Sequence, residues 1–138
     1  VISDPEARVY TFVTAQAKKA FPKLSCSSLP ENAPSSFPYA LVVMTDEYDV
    51  RRTLTSTHEN EYRHVTFEVN AYSAATSGRK SEAKAVSRAF AQAFKTLGFV
   101  ETAGGQPIDL TDDSKRAIAR YFCRFEAAVG PDGAFHTP

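Results

Sequence analysis

Apolar side chains recur at three- and four-residue steps from Glu6 to Ala20, namely Val9, Phe12, Val13, Ala17, Ala20 and Phe21. That repeat marks one face of a helix. Asp4 before Pro5 suits its start, and Pro22 stops it. Residues 22–38 hold Pro22, Pro30, Pro34 and Pro38 among Ser25, Ser27, Ser28, Ser35 and Ser36, which reads as a loop. The unbroken apolar run from Tyr39 to Met44, closing at Thr45, predicts a buried strand. The acidic stretch Asp46-Glu47-Tyr48-Asp49 is expected to break it, and Arg51 to Ser56 to resume it.

Glu61 to Ser73 alternates most clearly. Val65, Phe67, Val69 and Ala71 share one face, and Tyr62, His64, Thr66, Glu68, Asn70 and Tyr72 the other. A second helix is predicted over Arg79–Leu97, opened by Ser77-Gly78 and closed by Gly98 as a left-handed C-terminal residue. Its stripe is Ala83, Val86, Phe90, Ala93, Phe94 and Leu97. Phe99 to Thr102 reads as a short strand and Gln106 to Ser114 as a turn-rich connection. Lys115 to Val129 alternates again. Ala117, Ala119, Tyr121, Cys123, Phe125 and Ala127 face one way, and Ile118, Arg120, Phe122, Arg124 and Glu126 the other. Gly130 to Pro138 is expected to be a loosely ordered tail.

Strands in a run with two helices predict an α+β, two-layer sandwich: a mainly antiparallel sheet with both helices on one face and a long β-hairpin. The expected core is Val13, Ala17, Leu41, Val43, Val65, Phe67, Val69, Phe90, Phe94, Leu97, Tyr121 and Phe125. A length of 138 residues fits one domain over 1–138. No apolar run approaches the ~20 residues of a membrane span, and the opening Val-Ile-Ser-Asp-Pro shows no export signal.

Chemistry enters this picture mostly by exclusion. No CxxC, HExxH, nucleophile elbow or phosphate loop occurs, so no catalytic residue, metal or cofactor is expected. Gly104-Gly105 and Asp112-Asp113 read as turns. Cys26 and Cys123 are expected to be free thiols, Cys123 as a small core residue. His64 falls on a polar strand face and reads as solvated or interfacial.

Sixteen basic residues balance sixteen acidic ones, so no general grip on nucleic acid is expected. The local distribution is uneven. The second helix carries Arg79, Lys80, Lys84, Arg88 and Lys95 against Glu82, with Lys80, Lys84, Arg88 and Lys95 in a narrow arc away from the apolar stripe. The counterweight lies in residues 46–61, where Asp46, Glu47, Asp49, Glu59 and Glu61 outnumber Arg51 and Arg52. The basic arc is either a solvated helix face or a surface for an acidic partner, such as a neighbouring subunit's 46–61 hairpin. Phe122 between Arg120 and Arg124 is likewise either a subunit contact or one aromatic on a solvated sheet face.

Three segments carry a resemblance. The first is Asp49-Val-Arg-Arg-Thr-Leu with Glu59-Asn60. The second is Val65-Thr-Phe-Glu-Val-Asn-Ala-Tyr-Ser running into Gly78-Arg-Lys-Ser-Glu-Ala-Lys-Ala. The third is Leu97-Gly-Phe-Val, a turn with Pro107, and Arg120-Tyr-Phe-Cys-Arg-Phe-Glu-Ala-Ala-Val. Over about residues 7–129 the chain resembles the tail terminator, or tail completion, proteins of long-tailed bacteriophages. The resemblance implies a structural subunit of the virion tail, assembled in the host cytoplasm. It would form a six-membered homo-oligomeric ring, end tail-tube polymerisation, and meet the tail tube protein and the head-tail connector. DNA would at most pass through the ring, and no membrane would be involved. A head-completion or connector protein of the same module, and a small non-enzymatic α+β ligand-binding or regulatory domain, are the alternatives.

Overall fold

The structure, a computed structural model, describes residues 5–28, 37–49, 62–105, 108–111, 117–130 and 133–136. Helix α1 (Pro5–Ala20) leads into strands β1 (Ser25–Ser27), β2 (Tyr39–Asp49) and β3 (Arg63–Ser73). Helix α2 (Arg79–Leu97) follows, then β4 (Val100–Gly104), β5 (Ile108–Thr111), β6 (Ala117–Val129) and β7 (Phe135–His136). The order in the sheet is β1-β2-β3-β6-β4, with β5 and β7 also paired to β6. Only β1 and β2 run parallel. The fold is α+β, with α1 and α2 packed against each other on one side of the sheet.

Alternation along β3 and β6 builds the core. Val65, Phe67, Val69 and Ala71 lie beside Ala127, Phe125, Cys123 and Tyr121 on the adjacent strand, under Val86, Phe90 and Phe94 of α2 and Val9, Val13 and Ala17 of α1. Four phenylalanines form its centre. Phe94 stacks on Phe125 at 4.3 Å, and Phe67 and Phe99 meet Phe94 at 5.7 and 5.1 Å, within the range where aromatic geometry adds to burial.

Strand β2 corrects two expectations. It does not break at Asp46 but continues through Asp49, with a bulge between Met44 and Asp46. The bulge places one extra residue on one side, as bulges do, so Thr45 and Asp46 both border the face away from the helices. Glu47, opposite Val65, meets Arg63 on the other side at 3.2 Å. Its core residues are Ala40 and Val42, with Met44 packed against them, whereas Leu41 and Val43 are half-buried on the opposite face. An all-apolar run has no alternation to reveal its phase; pairing with β3 decides it. Leu97, expected in the core, sits half-buried at its margin, on the last turn of α2.

The tail is also corrected. Gly133–His136 are tied to the body through β7, through Arg8 of α1 donating to the Gly133 carbonyl, and through the Arg8 guanidinium lying 4.6 Å over the Phe135 ring. Gly98 serves two needs at this junction. Its φ of 109° suits the end of α2, and a Cβ there would come within 2.6 Å of the Phe135 carbonyl oxygen. The two sheet edges differ. The outer side of β6 is covered end to end by β7, β4 and β5, whereas among the described residues β2 is covered only at Tyr39–Leu41, by β1.

Candidate functional site

Among the described residues no helix covers the sheet face opposite α1 and α2, on which Tyr39, His64, Thr66 and Ile118 are among the buried side chains and most others are half-buried or exposed. Three long strands supply this face in cross-strand rows: Tyr39, Tyr72 and Arg120; Leu41, Asn70 and Phe122; Val43, Glu68 and Arg124; Asp46, Thr66 and Glu126. At one margin Val100 of β4 and Ile108 of β5 are exposed at 37% and 39%, unusual for such side chains in this chain. Leu41, Val43, Tyr72 and Phe122 are half-buried.

Polar groups knit the centre of this face. Arg124, directly opposite Glu68, donates to Glu68 Oε2 from Nε at 3.2 Å and Nη2 at 3.0 Å. Its guanidinium also lies 5.7 Å from the Phe122 ring, a cation-π distance. His64 Nε2 and Glu126 Oε1 are 2.7 Å apart. The Thr102 hydroxyl and then the His64 ring hold the Glu126 carboxyl below its ordinary range, against partial desolvation. Beside these pairs is a polar hollow of about 320 Å³, lined by Thr45, Asp46, Thr66, Glu68, Arg124 and Glu126.

No protein-family model matches the chain, and no curated protein matches it.

The predicted contact residues are distributed unevenly. Arg120, Phe122 and Arg124 do share the open face, and Asp46 joins them from β2. Glu47 is on the other side with Arg63. Asp49 ends β2 opposite Arg63 in register. Arg51, Arg52, Glu59 and Glu61 lie outside the described residues.

The basic arc of α2 is partly spoken for within the chain. Arg88 forks onto Glu101 of β4 at 2.6 and 3.1 Å and lies 5.5 Å over the Tyr121 ring. That fork holds Glu101 below the usual carboxylate range and raises the Arg88 guanidinium. Lys80 Nζ and Arg79 Nε each lie 3.3 Å from Asp109 of β5. The expectation that Arg88 stands free in solvent is thus corrected. The predicted short strand β4 and the unpredicted β5 place Glu101 and Asp109 beneath the helix. Lys84 and Lys95 remain exposed.

His64 is also corrected: it is only 8% exposed, enclosed by its contact with Glu126. Glu68 and Glu126 were not singled out from sequence. Their alternation with Val65–Val69 and Phe125–Ala127 put them on the right face, but only the β3–β6 register shows which partners they meet.

Among the described residues no group of three His, Cys, Asp or Glu side chains is placed to hold a metal ion. No helix of the described chain is long and apolar enough to cross a membrane.

Proposed function

We propose that this chain is a self-assembling structural subunit, a phage tail terminator that closes into a ring on the tail tube and presents a surface for head-tail joining. One observation carries the reading. Both helices cover the same side of the sheet, and the other side keeps Leu41, Val43, Phe122, Val100 and Ile108 around a set of internally matched polar groups. Mixed apolar and paired polar surface of this kind is the composition of subunit interfaces rather than of catalytic clefts. The resemblance over residues 7–129 supplies the identity of the assembly, and a ring needs two unlike patches on each copy.

The test is the solution mass of the purified chain across a wide concentration range, followed by its addition to polymerising tail tubes. A concentration-dependent step toward a six-membered ring, and tubes that stop growing when it is added, are expected. A chain that stays monomeric at the highest soluble concentration and leaves tube length unchanged refutes the proposal.

A further inference from the structure

The outer helix surface is basic, and the hollow on the opposite sheet face is net acidic, although Arg120 stands elsewhere on that face. On the outer surface of α1 and α2 the exposed charged residues are Lys18, Lys19, Lys80, Lys84 and Lys95 against Glu6. Of these lysines, Lys80 is engaged by Asp109. The remaining acid of α2, Glu82, is half-buried and accepts from the Ser73 hydroxyl at 2.6 Å. On the far side of the sheet, the hollow presents Asp46, Glu68 and Glu126 with Arg124 as its one lining cation. Arg124 and Glu68 are paired with each other and Glu126 with His64, so Asp46 is the exposed acid at the hollow's rim. Half-buried Leu41, Val43 and Phe122 lie in the adjoining rows, on the same face as the hollow.

We infer that the partner for this open face is a second copy of the same chain, presenting the Lys84–Lys95 side of its α2 to the Asp46–Glu68–Glu126 hollow. The inference rests on the self-assembly proposed above and names the surfaces that meet. Lys84 and Lys95 are eleven residues apart, close to three full turns, so they project from one side of α2 at a spacing of ~16 Å. Asp46 and Glu126 are separated by two strand spacings, ~10 Å, a span that flexible lysine side chains can bridge from above. Neighbouring Ala85 is small and exposed, so it leaves Lys84 standing clear of the helix surface.

The polarity of the contact follows from the charge layout. Basic groups on one layer and acidic groups on the opposite layer disfavour any pairing that sets like layer on like layer. Front-to-back contact remains. It leaves each copy with an unused helix layer or an unused hollow until the series closes on itself. Such a head-to-tail contact makes a ring where its rotation closes and a filament where it does not.

The test uses two variants of the full chain, Lys84→Glu/Lys95→Glu and Asp46→Lys, with Lys84→Gln/Lys95→Gln and Asp46→Asn as milder companions. All three positions are exposed, so thermal unfolding midpoints should match the parent. Assembly is followed by sedimentation at low and high salt. Each reversal alone should raise the concentration needed for assembly by at least about tenfold at low salt. The neutral companions should fall between reversal and parent, and high salt, with a Debye length of ~3 Å at ~1 M, should narrow all differences. An equimolar mixture of the two reversals should assemble at a lower concentration than either alone, because contacts between unlike copies include one of parent charge and one that sets the introduced glutamates beside the introduced lysine.

Reversals that assemble like the parent, or a mixture no better than its components, would overturn the assigned surfaces while leaving self-assembly standing. A parent that never assembles removes the functional reading and this inference together.

Discussion

The two faces of the sheet are made by the same strands and behave as different materials. Toward the helices, β3 and β6 present Val65, Phe67, Val69, Cys123, Phe125 and Ala127, all within 1% of complete burial. On the opposite face the intervening residues are Thr66, Glu68, Asn70, Phe122, Arg124 and Glu126, among which Arg124 pairs with Glu68, while Glu126 pairs with His64. A one-residue step along the chain changes the role of a side chain from holding the fold to displaying a surface. Stability should therefore reside almost wholly on the covered face, and association on the open one.

The largest effect expected is at the aromatic centre. Phe67→Ala removes contacts with both Phe94 and Phe99 and should cost about 3–5 kcal/mol by cavity formation, read as a lower urea midpoint at unchanged slope. A loss near zero would reverse the assignment of the faces.

A smaller effect tests how dry that face is. Burial pushes the Cys123 thiol from 9.0 up to about 11, opposed only in part by its contact with Ser87. The folded state thus prefers the neutral thiol. Stability from this preference is fully present below about pH 9 and is lost as pH rises toward 11, by up to about 2–3 kcal/mol. Denaturant unfolding along that pH range should show a steeper alkaline decline for the parent than for Cys123→Ala. Parallel declines would mean that the thiol already meets water.

The smallest effect belongs to the open face. A double-mutant cycle on Glu68 and Arg124, both to Ala, should return a coupling of about 0.2–1 kcal/mol, since both side chains remain partly exposed. A coupling as large as the Phe67 loss would erase the contrast between the faces.

The elements that the chain announced were those whose pattern was long enough to declare a period. Helix α2 runs from Arg79 to Leu97 as its spacing predicts, and the faces of β3 and β6 fall as alternation assigns them. Strands β1, β5 and β7 went unread because two to four residues hold no period. Each is a strand only because a longer neighbour offers it hydrogen bonds. The same dependence hid the charge pairs. Arg88 looked free on the helix because Glu101 is brought to it by β4, and Glu126 looked unremarkable until the register set it near His64. Phe122 between two arginines was visible as an oddity of pattern, and the structure places it among half-buried neighbours.

The patched edge of β6 sets a valence for the molecule. Growth by adding strand to strand, without end, requires two open edges per copy. Here the outer side of β6 is occupied by pieces of five, four and two residues in separate registers, which offer no continuous template to an arriving chain. Among the described residues, β2 beyond Leu41 is the long edge without a neighbour. In strand pairing the described residues are thus monovalent: two copies could join edge to edge and would then be spent. Any assembly larger than a pair must be counted in faces, and one built from such units does not run on as a fibre along its sheets.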